Sequence, residues 1–400
     1  SCTRSVELPG NKDDRLVIVI ESQVKTLDPR FTTDSISAKV SRLVFTPLVS
    51  SDNEELRPEN ELAEEIVPDM TLLKDGEPLR YIVKLRKEVK FHDGNGLTAA
   101  DVAYTYNSIL DPAVGSPYRG DYAKKFSRVY PLQGDSGVVV FELKTPLATF
   151  RNDLAIGIVP ARLEDNGDRF DGVYVGTGSF RFAGSPDGRF IFLERFDGFY
   201  GKKSSFRHIS FIVVADEGAR ILSLLSGTAD IVLNGITPAV AAILSGNPDL
   251  EVISGRSNLF TYLAFNLTLP VFEDKRVRQA LMHAIPAEEI IENKFSGLAQ
   301  RAAGLLPEFH WAYGSAKKYV YDPEKAGKLL DEAGYKRGAD GVRFKAKLKV
   351  SNNRLRRAVA MDIAHHLGKI GIQVEVVSFE LSTFLADVRK GNYEMTVLQL

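Results

Sequence analysis

The sequence predicts an α/β protein with mixed sheets, divided into more than one domain. Three observations carry this. Strand-like and helix-like segments alternate along the chain. Helix starts are marked by Asp, Thr or Pro, and helix ends by Gly or Pro. The 400 residues are 44% apolar, enough for about two to three cores at ~150 residues per domain.

The elements follow in order. Leu16–Ile20 is a short apolar strand, Leu27-Asp28-Pro29 a turn, and Ser37–Val44 a helix. The clearest stretch is 81–112. Tyr81, Val83 and Leu85 alternate with Ile82, Lys84 and Arg86, the period of a strand. His92 to Gly96 is a dense turn, because Gly and Asn tolerate positive φ. Thr98 is placed to cap a helix, with Asp101 three residues on near its positive end. Val102, Ala103, Tyr106, Ile109 and Leu110 then give one buried stripe, and Asp111-Pro112 ends the helix.

Further on, Val138–Leu143 is a strand, Phe150–Ile158 an apolar buried stretch, and Arg162 to Asp171 a charged loop. Gly176-Thr177-Gly178-Ser179 leads into a strand carrying Phe180 and Phe182. Ile209–Val214 and Asp230–Leu233 are strands around a helix, Glu217–Ser226, with Ala219, Leu222 and Leu225 on one side and Gly227 beyond its end. Thr237-Pro238 starts another helix, and Leu259–Asn266 is a strand that opens a new block. Asp274 caps a helix bearing Val277, Ala280, Leu281 and Ala284, and Asp322-Pro323 starts one that Gly334 ends. Arg354–Ile370 carries Leu355, Val359, Ile363 and Leu367, with strands at Ile372–Val377 and Glu394–Leu400 after it.

Net charge is −1, from 51 basic and 52 acidic residues well mixed, which offers no basic stripe for nucleic acid. No apolar run reaches the ~20 residues that span a bilayer. The one cysteine, Cys2, leaves no disulfide and no cysteine metal site. It reads either as an ordinary residue of a frayed terminus or as the lipidation site of a bacterial lipoprotein, with Ser1 the small residue before it. Of six histidines, His365 and His366 are adjacent and point ~100° apart on a helix. No i,i+4 His/Glu pair is present, so no metal site is expected. His92 reads as a structural hydrogen bonder. Gly176-x-Gly178 lacks the third glycine and the following helix of a dinucleotide fingerprint and reads as a crossover where small residues let the backbone turn. There is no Gly-x-Ser-x-Gly elbow and no other nucleophile constellation, so the sequence gives no support for an enzyme.

The chain resembles the bacterial extracellular solute-binding proteins of family 5, the peptide- and nickel-type receptors of ABC transporters. The motifs are Leu27-Asp28-Pro29; Phe91-His92-Asp93-Gly94 with Leu97-Thr98-Ala99-Ala100-Asp101-Val102; Pro146-Leu147 with Phe150 and Leu154-Ala155; Gly176-Thr177-Gly178, where Ser179 replaces the usual Pro; Ser226-Gly227 through Asp230-Ile231; Phe265-Asn266 with Asp274 through Leu281; and Tyr321-Asp322-Pro323 through Gly334. Pro286 departs from the family's usual Asp.

The resemblance implies a two-lobed periplasmic-binding-protein fold (type II, Venus-flytrap) with an inserted subdomain. Lobe I would be 1–45 plus 176–257, the insert 46–175, and lobe II 258–400, C-terminally incomplete because relatives continue with a further segment that carries an acidic ligand anchor. The implied function is the substrate-binding component of an ABC importer: a monomer, without cofactor, that captures an oligopeptide or dipeptide in the interlobe cleft and delivers it to membrane permease subunits. The implied location is the periplasm or the outer face of the cell membrane, with a lipid anchor on Cys2. The alternatives are a lipoprotein sensor or chaperone that passes no cargo, and a binder of a nickel chelate or oligosaccharide. The ligand-facing residues it implies are Thr33 and Asp34 after the first turn, Ile156 and Gly157 in the insert, and Phe265 and Asn266 past the crossover.

Overall fold

The computed structural model describes residues 7–166, 173–257, 259–314 and 316–399. Cys2 lies outside them, as does the second half of the expected charged loop, 167–171, whose first half belongs to a 3-10 turn at Ala161–Asn166. The chain forms two compact units, Ser1–Ile236 and Thr237–Leu400. This division falls upstream of the expected 257/258 boundary. The reason is local: the helix Pro238–Leu244 packs on the helix Ala287–Phe295 of the second unit.

The first unit is built on two sheets with separate cores. In the five-stranded sheet, Arg15–Ile20 runs parallel to His208–Val213 on one side and to Ile231–Val232 on the other. Phe190–Arg195 and Phe180–Gly184 extend it antiparallel. The apolar strand Leu16–Ile20 supplies both faces: Ile18 and Ile20 join a core with Val40, Val44 and Phe45 of the helix Ser35–Val44, while Val17 and Val19 pack opposite with Ala229.

Between the first strand of that sheet and its remaining strands, the chain forms a four-stranded antiparallel sheet, ordered Ala63–Pro68, Arg80–Leu85, Val138–Leu143, Phe126–Pro131. The expected alternation holds: Val83 and Leu85 are buried, and Tyr81 stacks on Phe150 at 4.0 Å. The helix Ala99–Leu110 lays Val102, Tyr106 and Ile109 onto this sheet, with Tyr106 edge-on to Phe141 at 5.0 Å. Its start is capped as expected. Asp101 accepts from Thr98 N at 2.9 Å and from Thr98 Oγ1 at 2.7 Å, and its second oxygen accepts from Ala161 N, tying the helix to the 3-10 turn.

On this sheet, Glu142 accepts from Arg80, Arg128 and the Tyr130 hydroxyl. The hydrogen bond from Arg128, against burial and with help from Tyr130 and Arg80, holds this carboxyl down at about 2 from an ordinary 4.5. A depressed carboxyl stabilises the fold above its unfolded value and loses that contribution as pH falls through its folded one. The acid limb of stability is therefore expected to include a Glu142 step between pH 4.5 and 2. Its size is about 1 kcal/mol, because Arg128 is largely exposed and water screens the pair. Urea midpoints measured against pH should show that step in the wild type and lack it in Glu142→Gln.

The second unit is a four-stranded mixed sheet. Phe344–Ser351 runs parallel to Ile372–Phe379 and to Met395–Gln399, and Thr261–Phe265 closes the far edge antiparallel. The helix Arg354–Lys369 makes the crossover, burying Val359, Ile363 and Leu367 with Leu348 and Val350. The helices Lys275–Ala284 and Pro323–Glu332 share this core through Val277, Leu281, Ala326 and Leu330. Their caps are the expected ones: Asp274 accepts from Arg276 N and Asp322 from Lys325 N, both at 2.8 Å.

Candidate functional site

In the first unit the expected ligand-facing residues sit on two loops, Thr33 and Asp34 just before the helix Ser35–Val44 and Ile156 and Gly157 where the chain meets Phe45 just after it. The first loop is 27–34. Asp28 and Arg30 form an ion pair at 2.7 Å with both side chains 5% exposed. The Asp28 carboxylate also accepts from Arg30 N, closing a tight turn over Pro29. Arg30 then reaches the helix Ala99–Leu110, donating to Ser108 Oγ at 3.1 Å and to the Tyr104 hydroxyl at 3.4 Å. The loop backbone is held in return: Ser116 Oγ donates to Arg30 O at 2.8 Å, and the Tyr118 hydroxyl donates to Thr32 O. Thr33 emerges from this clamp exposed. Asp34 is half-buried and occupied as a helix cap, accepting from Ser37 N and Ser37 Oγ at 2.8 Å.

The second loop brings Gly157 against the first. Gly157 pairs with Pro47, and a Cβ there would stand 2.7 Å from Phe45 Cβ and 3.2 Å from Pro29 Cβ. The glycine is thus required by close approach, not by its torsion angle. Ile156 beside it is half-buried against the core of the four-stranded antiparallel sheet. The structure therefore joins Gly157 to the Pro29 loop and leaves Thr33 and part of Ile156 accessible.

The crossover Gly176-Thr177-Gly178 lies at the C-terminal end of the helix Ser35–Val44. Gly178 N donates to Val44 O at 2.9 Å, and His92 N donates to Gly176 O at 2.9 Å. The structural role expected of His92 is what the geometry shows: its ring nitrogens lie 3.0 Å from Gly178 O and 3.2 Å from Gly176 N.

In the second unit Phe265 packs on Phe272 at 5.5 Å, half-buried against the core. Asn266 is spent on structure. Its side-chain amide donates to Gly391 O and Tyr393 O, its Oδ1 accepts from Thr268 N and Oγ1, and its backbone N donates to Glu394 O. It holds the start of the strand Met395–Gln399 against Thr261–Phe265.

Two polar residues escaped the sequence reading. One is Arg30, which stands two residues from Asp28 across Pro29, a spacing that lets an acid and a base close on each other. The other is Arg220. Leu222 and Leu225 of the helix Glu217–Leu225 are largely exposed, whereas Arg220 is buried and donates to Val214 O, Ala215 O and Gly235 O beyond the ends of two sheet strands.

These folds and loops define a class, a solute-binding protein of α/β type. The family model for the bacterial extracellular solute-binding proteins, family 5 Middle, matches residues 57–400. The chain is 31% identical over 389 residues to a glutathione-binding protein, GsiB, of Escherichia coli O1:K1, covering 96% of this chain and 73% of that one. NikZ of Campylobacter jejuni, solved in complex with Ni(L-His), superposes with TM-score 0.78 at 26% identity, covering 97% of this chain and 78% of that one. DppA of Helicobacter pylori, solved with a peptide, gives 0.75 at 25% identity, covering 96% and 78%. The chain belongs to the family 5 extracellular solute-binding proteins, the substrate-binding components of ABC importers, with their two-lobed type II periplasmic-binding fold. Members bind peptides or small molecules and work with ABC permeases outside the cytoplasm. Among the described residues no helix is long and apolar enough to cross a membrane.

Proposed function

We propose that this protein captures a short peptide and hands it to its permease without turnover. The observation that carries the reading is the likeness over nearly the whole chain to a glutathione-binding protein, itself a binder of a peptide-like thiol, and to a peptide complex. The clamped loop 28–34 supports it. A loop held by the Arg30 side chain and by hydroxyls on two of its carbonyls can present its other backbone groups to an extended peptide at little ordering cost. Thr33 and Ile156 are the contacts we assign in the first unit and Phe265 in the second. Asp34, Gly157 and Asn266 shape those contacts through the backbone. We assign the protein as a monomer, and the small residue before the cysteine in Ser1-Cys2 supports a lipid anchor at Cys2.

The test is mass spectrometry of solute released by denaturing protein purified natively, followed by calorimetry with what is found. Short peptides, glutathione among them, binding at one site and leaving unaltered on release are the expected result. A nickel–histidine complex as the released species, or a peptide returned cleaved, would overturn the assignment.

A further inference from the structure

His92 belongs to the insert, yet it spends both ring nitrogens on the crossover. Nε2 faces the Gly178 carbonyl at 3.0 Å and Nδ1 faces the Gly176 amide at 3.2 Å. A carbonyl only accepts and an amide N–H only donates, so the ring fits in one form, neutral with its proton on Nε2. The Phe196 ring stands edge-on to it at 5.0 Å. On its other side the crossover is pressed onto the end of the helix Ser35–Val44. A Cβ at Gly176 would come 2.8 Å from Val44 C, and one at Gly178 would come 2.7 Å from the same atom. Thr177, between them, is fully buried, and among the described residues its hydroxyl oxygen has no hydrogen-bond partner.

We propose that His92 is an acid-labile latch: it holds the crossover 176–178 on the helix Ser35–Val44, and a proton taken up on Nδ1 releases it. A second ring proton would set Nδ1–H against the Gly176 N–H, two donors face to face, and the closed arrangement loses that bond. The open one gains a hydrated imidazolium and a hydrated Thr177 hydroxyl, both denied when the latch is shut. The unpartnered hydroxyl means that the shut form already carries a cost.

The charged groups around the ring come from three elements. Asp93, beside it in the turn, favours the proton but is engaged by Arg162 of the 3-10 turn. Arg181 of the strand Phe180–Gly184 opposes it and is itself paired with Glu194 at 2.8 Å. Burial acts first among the causes that hold the ring down at about 4, against an ordinary 6.5. The sign follows. A base whose folded value is depressed stays neutral while the open form takes the proton, so opening becomes easier as pH falls from 6.5 to 4. In that window the opening equilibrium rises about tenfold per pH unit.

The test is amide hydrogen exchange on the ligand-free protein from pH 7.5 to 4.5, corrected for intrinsic exchange. Protection at Gly176 and Gly178 is expected to fall about tenfold per unit below pH 6.5, while the strand His208–Val213 stays level. His92→Gln offers a donor and an acceptor that do not titrate, and is expected to flatten the slope at the crossover. A level crossover in the wild type, or the same slope in His92→Gln, would overturn the latch. Should His92→Gln not fold, nitrogen-15 spectra of the wild-type ring decide. A neutral ring with its proton on Nε2, titrating well below 6.5, supports the proposal; the Nδ1–H tautomer or an ordinary titration overturns it.

Discussion

Asp28→Ala is expected to cost the first unit about 3–5 kcal/mol, measured by urea unfolding followed by circular dichroism. The size comes from what stays behind. The Asp28 and Arg30 side chains are 5% exposed, and the carboxylate takes both the Nε and one terminal nitrogen of the guanidinium. Removing it takes from a buried guanidinium the carboxylate that its Nε and one terminal nitrogen hold, and desolvation that the pair had offset is then less compensated. Two further variants separate this from mere loss of a contact. Asp28→Asn retains the cap on Arg30 N and is expected to lose less. The double variant Asp28→Leu with Arg30→Met removes both charges and is expected to lose less than Asp28→Ala alone, since an apolar pair in the same space has nothing left to desolvate. A cost under about 1 kcal/mol for Asp28→Ala would mean that water reaches the guanidinium. The loop 28–34 would then be far less firmly held than its hydrogen bonds suggest.

The elements that declared themselves in the sequence did so through short-range chemistry. Thr98 with Asp101, Asp274, and Asp322 before Pro323 act within one helical turn, so their spacing alone carries the information. The buried stripe of Ala99–Leu110 is legible for the same reason, its period being a property of the helix. The candidate contacts were legible only as positions on loops. Asn266 illustrates the limit: its partners lie at Gly391, Tyr393 and Glu394, more than a hundred residues on, and nothing near position 266 announces them. Arg220 shows the converse. Helical spacing placed Leu222 and Leu225 on one side, but the side that faces the strand ends is the one where unpaired carbonyls need a donor. Burial there follows hydrogen-bond demand, not hydropathy. Arg30 is intermediate, because half of its pairing, to Asp28, is local and the other half, to Tyr104 and Ser108, is not.

Gly178→Ala is expected to destabilise the first unit by at least about 3 kcal/mol, with the loss read as a lowered urea midpoint. The change from glycine to alanine has two opposed effects. A methyl group narrows the unfolded ensemble and by itself stabilises by about 0.4–1 kcal/mol where the site has room. At Gly178 there is none. The new Cβ would stand 2.7 Å from Val44 C and 2.8 Å from Leu43 C, so it meets main chain that no side-chain rotation can move aside. Those atoms belong to the last turn of the helix Ser35–Val44, fixed by the bond from Phe45 N to Ser41 O at 2.8 Å and by Gly178 N to Val44 O at 2.9 Å. Relief requires breaking one of these and lifting the crossover from His92, which frees the Gly178 carbonyl from the ring as well. The steric term therefore exceeds the entropic one and sets the sign. Gly120 supplies the control: it lies in the helix Arg119–Lys125 with nothing within 4 Å of a built Cβ, so alanine there is expected to be neutral or to gain up to about 1 kcal/mol. If Gly178→Ala matched Gly120→Ala, the crossover would not rest on the helix end, and the His92 latch would have nothing to hold it against.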